Sequence, residues 1–212
     1  LGDLNQSVQA FNKAIEAVTS NSPAELAEAW DQRGFILADL AGPLDDNKSM
    51  YEEAIKYFDR AVELDSQNKE AWINKGAVLD TSLNRSDEAL AAYDKAIKLD
   101  GANAGDNESL SNAWSGKGTV LAKLGRYSES FGAFDKALEL NPQNVASVWF
   151  SKGEALNESG RYDEAVKAYD KAIEQYPLDA MGAQAWYKNG LALKALGRQA
   201  EADASNVRAK EY

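Results

Sequence analysis

Neither cysteine nor histidine occurs among the 212 residues. Their absence excludes disulfides, thiol nucleophiles, Ser-His-Asp relays and nearly every zinc, haem or copper site. No run of 18 or more apolar residues exists, so no segment is expected to span a bilayer. The opening LGDLNQSVQAF lacks the basic and then apolar layout of a signal peptide. Its first residue is Leu rather than Met, consistent with a piece trimmed from a longer chain. Positive charge is also short. The formal net charge of −11 argues against nucleic acid and against an anionic membrane surface, both of which need a basic footprint. The deficit is local: residues 1–110 hold 21 acids and 10 bases, and residues 111–212 hold 13 of each. A charged partner would meet an acidic end and a near-neutral end.

A repeat is present instead. AWDQRG (29–34), AWINKG (71–76), AWSGKG (113–118), VWFSKG (148–153) and AWYKNG (185–190) align on tryptophan, each with Gly four residues on and Leu seven on. Positions i, i+4 and i+7 share one helical stripe, so each block predicts a first helix, A, with a bulky knob beside a small notch. The expectation is that the indole slots against a glycine gap between successive hairpins. A second stripe follows: Ala54, Phe58, Ala61; Ala89, Tyr93, Ala96; Ser130, Phe134, Ala137; Ala165, Tyr169, Ala172. That is helix B. Helix A usually closes at Gly, in LGR (124–126), SGR (159–161) and LGR (196–198), and helix B stops near Pro142 or Pro177. Two antiparallel helices per unit result, joined by a tight turn.

These residues resemble the tetratricopeptide repeat family, whose 34-residue unit pairs Trp, Leu, Gly, Tyr, Ala, aromatic, Ala and Pro at fixed offsets. Residues 149–177 supply Trp149, Gly153, Leu156, Tyr162, Ala165, Tyr169, Ala172 and Pro177. Two departures stand out. Arg33, Lys75, Lys117 and Lys152 precede the Gly where the family often has an apolar residue, and the Trp spacings run 42, 42, 35 and 37. The long spacings locate insertions at AGPLDDNKS (41–49) and DGANAGDNESLS (100–111). The resemblance implies an all-α, right-handed superhelical solenoid of antiparallel helix pairs, one domain over 1–212. It comprises an orphan helix B (1–19), repeats at 24–65, 69–100, 110–140 and 145–176, and a fifth repeat with a polar cap at 182–212. In that cap Asn206 takes the aromatic position. Self-association through the N-terminal half-repeat, which keeps Val8, Phe11 and Ile15 without a helix A, is one expectation, and further repeats upstream are the other.

The charged residues are expected to face water. On the helix B wheel Asp59-Arg60, Asp94-Lys95, Asp135-Lys136 and Asp170-Lys171 point away from the apolar stripe, and Asp163 with Lys167 forms an i, i+4 pair adding about 0.3 kcal/mol of helicity. A catalytic acid would need burial or a close like charge. Each Trp→Ala change is expected to cost about 3–5 kcal/mol. Five N-x-S triplets occur, at Asn5, Asn47, Asn84, Asn107 and Asn157. Glycosylation would imply export, but Ser49 and Ser86 suit helix B N-caps, with capping boxes at Ser49/Glu52 and Ser22/Glu25. A cytoplasmic location is expected, with export as the alternative. DGANAGDNE (100–108) fails EF-hand spacing, and GKG (116–118) sits in a helix rather than after a strand.

In the resembled family helix A lines a concave wall that binds extended peptides or helices. The positions implied to face inward lie one, five and eight residues after each Trp. The candidate groove residues are Asp31, Phe35, Ile73, Asp80, Thr119, Phe150, Glu154, Tyr187 and Leu191. Some family members grip a C-terminal carboxylate with cations and amides at such positions, where Asp31 and Asp80 stand here, so that clamp is not expected. A non-catalytic scaffold for a protein or peptide segment is the leading expectation, with no catalytic residue, metal or cofactor. The alternatives are an architectural spacer in a longer array and a glycoside hydrolase using carboxylates such as Glu154 or Asp80.

Overall fold

The computed structural model describes residues 22–42, 47–99, 107–141, 145–175 and 180–211. The orphan helix B expected over 1–19, the insertion core at 43–46, most of the 100–108 loop, and Pro142 and Pro177 lie outside the described residues. Ten helices and no strand occur among those described: α1 (Pro23–Ala41), α2 (Lys48–Leu64), α3 (Lys69–Thr81), α4 (Ser86–Lys98), α5 (Asn107–Lys123), α6 (Tyr127–Leu140), α7 (Ala146–Glu158), α8 (Tyr162–Gln175), α9 (Ala180–Ala195) and α10 (Gln199–Lys210). Odd-numbered helices are the A helices and even-numbered ones the B helices. Among the described residues no helix is long and apolar enough to cross a membrane. The chain divides into two compact units, Leu1–Ser109 and Leu110–Tyr212. The first holds α1 to α4. The second holds α5, apart from its first turn, and α6 to α10.

The first four hairpins are each closed by a helix B ring pressed on a helix A glycine. A Cβ on Gly34 would meet Cε1 of Phe58 at 2.7 Å, and Gly76, Gly118 and Gly153 face Tyr93, Phe134 and Tyr169 in the same way at 3.0, 2.9 and 2.7 Å. These rings are buried, so the close approach of A to B depends on the missing side chain. This corrects the expected indole in the glycine gap. Trp30, Trp72, Trp114, Trp149 and Trp186 are only half-buried, and Trp149 lies along the edges of three neighbouring apolar clusters, where it covers the seam between hairpins. Truncating one of them removes less buried surface than a wholly enclosed indole would lose.

Two of the cations that depart from the family pattern, Lys75 and Lys152, hold such seams. Lys75, Lys117 and Lys152 each place their ammonium 5.1 to 5.4 Å from the centroid of the Trp three residues earlier, an electrostatically attractive position over the ring. Lys75 also pairs with Asp59 and Lys152 with Asp135, and Asn189 donates to Asp170 at 2.7 Å. Asp59, Asp135 and Asp170 are therefore tied to the following hairpin, because the next A helix approaches that side of the wheel, while Asp135 and Asp170 stay exposed to water as expected. Arg60, Lys136 and Lys171 do reach solvent, each paired with a Glu three residues on.

The turns joining α3 to α4, α5 to α6, α7 to α8 and α9 to α10 follow one plan. Gly125, Gly160 and Gly197 adopt φ of 72°, 78° and 75°, and Asn84 holds the equivalent place at 53°. The residue after each donates its N–H back across the turn: Arg85 to Leu79, Arg126 to Leu121, Arg161 to Leu156 and Arg198 to Leu193, at 2.8 to 3.0 Å. These bonds satisfy carbonyls that the helix end would leave open. The same arginine then forks onto the Glu three residues ahead, through Nε and Nη2, in Arg85–Glu88, Arg126–Glu129, Arg161–Glu164 and Arg198–Glu201. Hydrogen bonding to the guanidinium holds each of these carboxyls below its usual range.

The capping expectations divide. Ser22 accepts the Glu25 N–H at 3.4 Å, as its spacing predicts. Ser49 and Ser86 are not caps: Ser49 lies inside α2, whose cap is Asn47, and Ser86 is the first residue of α4 after Arg85. Neither Asn47 nor Arg85 makes a side-chain cap bond. Asn47 instead donates from Nδ2 to the Ala41 carbonyl at 2.6 Å, and Arg85 serves the fork described above.

Candidate functional site

In the first unit the A-helix positions separate into buried and open groups. Asp31 is 2% exposed and accepts a 3.0 Å hydrogen bond from Asn74 Nδ2, which joins α1 to α3. Burial pushes its carboxyl up from 3.8 to about 6; the Asn74 bond works against this, and Glu70 and Glu28 add to it. Ile73 and Asp80 are buried. Burial, with the Asp80 charge second, raises the Tyr93 hydroxyl above its ordinary range. Phe35 stands open, 53% exposed. With Ala38, Asp39, Phe58, Asn74, Ala77 and Val78 it lines a cleft of about 140 Å³. The cleft forms because α1 and α3 both carry small residues, Ala38 and Ala77, beside the Phe35 ring.

Two cations of the first unit's A helices contact α2. The Arg33 guanidinium lies 4.0 Å from the Tyr57 ring centroid and 5.2 Å from that of Trp30, and its Nη2 donates to the Tyr57 hydroxyl at 2.6 Å. Burial, then the hydrogen bond to Glu53, pushes that hydroxyl up to about 12. Lys75 is engaged by Asp59 of α2.

In the second unit Thr119 is half-buried and donates to the Ser115 carbonyl at 3.2 Å. Phe150 is half-buried with its ring centroid 5.9 Å from that of Tyr169. Glu154 accepts from Lys188 at 2.7 Å, both side chains 38% exposed. Tyr187 and Leu191 are exposed, as is Val207, and these three line an open groove of about 780 Å³ between α9 and α10 with Lys194, Asp203, Asn206 and Lys210. The fold thus brings Asp31, Phe35, Ile73 and Asp80 into one unit and Thr119, Phe150, Glu154, Tyr187 and Leu191 into the other. Glu154 and Asp80, the carboxylates considered for glycoside chemistry, are in different units. Sequence reasoning missed Asp39 and Asn74 in the cleft and Lys188 beside Glu154. Asn74 sits two residues after Trp72, between the positions taken to face inward, so the pattern carried no signal for it. The arginine forks did leave one, in the recurrence of Arg with Glu three residues on.

Paired A and B helices closed by ring-on-glycine contacts define an α-helical repeat protein. A model of the family described as tetratricopeptide repeat matches residues 44–107, 83–145, 116–180 and 151–205, and the chain belongs to that family. Among solved structures it is similar to YrrB, described as a TPR protein with an unusual peptide-binding site (TM-score 0.62, 24% identity, 96% of this chain and 92% of that one). It is also similar to BtubC (BKLC) from P. vanneervenii (0.76, 18%, 98% and 90%) and to MamA from Desulfovibrio magneticus RS-1 (0.64, 18%, 82% and 94%). At these identities the likeness shows the fold alone. No curated protein sequence matches the chain.

Proposed function

We propose that this chain is a non-catalytic scaffold that holds a segment of a protein or peptide against its A helices. The observation that carries this is the placement of Phe35, Tyr187 and Leu191: large apolar side chains, 53%, 52% and 41% exposed, each on an A helix and each beside a cleft or groove. Apolar and aromatic anchors seated in such recesses are where binding energy concentrates. The family membership and the peptide-binding site of YrrB support the same function. Two carboxylates of the A helices serve structure: Asp31 bridges two hairpins and Glu154 is paired.

The test is affinity capture from the source lysate with the parent chain beside Phe35→Ala and Tyr187→Ala. Capture of a partner should fall for at least one variant, while the helical circular dichroism and the melting temperature stay as in the parent, since both side chains are half in water. Partners retained by both variants at parental levels would remove the groove assignment.

A further inference from the structure

We propose that the segment held by the first unit is cationic: an aliphatic side chain seated in the Phe35 cleft, with a lysine or arginine next to it facing Asp39. This rests on the scaffold function proposed above and names the chemistry of its partner.

Two features of the cleft combine. Its lining is apolar apart from Asn74 and Asp39, and its volume of about 140 Å³ suits one aliphatic side chain laid on the exposed face of Phe35. The charge around it has one sign. Helices α1 and α3 carry Glu25, Glu28, Asp31, Asp39, Glu70 and Asp80 against Arg33, Lys69 and Lys75. Arg33 and Lys75 are committed to Tyr57 and Asp59 of α2, whereas Glu25, Glu28 and Asp39 of α1 are exposed and Asp31 and Asp80 are buried. Asp39 is exposed on the rim. Asn74, also in the lining, connects to the buried Asp31, whose carboxyl is raised partly by Glu70 and Glu28. A negative field acts there already, and an acidic segment would add to it at a cost. The open groove of the second unit differs, with Lys194 and Lys210 set against Asp203. The two helices that form this apolar recess thus carry six acids against three bases, and complementarity selects a partner with apolar and basic residues side by side.

The probes are two capped, fluorescein-labelled peptides, Gly-Lys-Leu-Ser-Lys-Leu-Gly and the same peptide with Glu in place of Lys, titrated with the full chain by fluorescence anisotropy. The lysine peptide should bind and the glutamate peptide should not. Phe35→Ala should weaken the lysine peptide roughly tenfold. Asp39→Asn should weaken it about threefold at low salt, and that difference should shrink as salt rises. Melting temperatures of both variants should match the parent. Equal or tighter binding of the glutamate peptide overturns the proposal, as does lysine-peptide binding indifferent to both variants, or no binding of either peptide. A glutamate peptide released by Phe35→Ala would overturn the charge assignment while leaving the scaffold function standing. Loss of the scaffold function shows separately, in lysate capture that ignores Phe35 and Tyr187.

Discussion

In the first unit the hairpin of α1 and α2 closes with the buried Phe58 ring on Gly34; in the second, the hairpin of α9 and α10 closes with Asn206 on Gly190. A Cβ on Gly190 would lie 2.8 Å from Asn206 Oδ1 and 3.2 Å from the Ala202 carbonyl. Backbone closeness therefore demands the small residue whether the plug is a ring or an amide. What changes is the energy of the plug. A phenyl group with 0% exposure contributes apolar burial, whereas the half-buried amide tolerates water and leaves the Tyr187 and Val207 groove open beside it.

The largest effect expected follows from that contrast. Phe58→Ala should cost about 3–5 kcal/mol, the range for truncating an enclosed aromatic, while Asn206→Ala should cost less than about 1 kcal/mol, as ordinary substitutions at half-exposed sites do. Urea denaturation of the two variants checks this, and equal losses would break the distinction between the hairpins.

The next effect belongs to the first unit alone, since the positions matching Asp31 in the second unit are Ser115, Phe150 and Tyr187. The Asp31 carboxyl is raised in the fold from 3.8 to about 6. The folded state therefore favours its protonated form, so its contribution to stability is whole below pH 4 and is lost as pH rises through 6. Asp31→Asn keeps an acceptor for Asn74 and carries no charge. At pH 7.5 it should be more stable than the parent by up to about 3 kcal/mol, with the gain fading towards zero at pH 4. Thermal melts across that window decide the matter, and a gain that persists at pH 4 would contradict the assignment.

The smallest effect sharpens the comparison of the turns. Asn84 occupies with φ 53° the place that Gly125, Gly160 and Gly197 hold in the second unit. Only glycine adopts that conformation without steric cost. Asn84→Gly should change stability by under about 1 kcal/mol, because relief at the turn is offset by a freer unfolded chain. Gly160→Ala should lower it by about 1–2 kcal/mol. Melting curves of the pair would show whether the two units share one turn chemistry.

The helix pairs, their order and the turn glycines were legible in the sequence because each depends on spacing within a single helix or turn. The partner of each glycine notch was not. Trp30 and Gly34 share a stripe on α1, but periodicity within one helix does not say which side chain of another helix enters the gap, and Phe58 comes from α2. Asp31 shows the same limit. A wheel places it on the inner face, and its burial comes from Asn74 and the hairpin that follows. Asp59, Asp135 and Asp170 point away from their own apolar stripe, as the wheel predicts, into the path of the next A helix. Of the candidate groove, Phe35, Tyr187 and Leu191 were legible as apolar residues where a solvated helix would carry polar ones. Asp39 and Asn74 gain their place at the cleft only when α1 and α3 lie side by side.

Because every arginine fork and every carbonyl closed at a turn joins residues no more than six apart in the chain, a hairpin can be sealed without waiting for distant sequence. Loop closure within a hairpin costs little entropy, and proteins rich in such local contacts fold fast. A nascent chain can complete one helix pair while its successor is still being synthesised. Exchange of backbone amides for deuterium should then proceed pair by pair, inward from the ends.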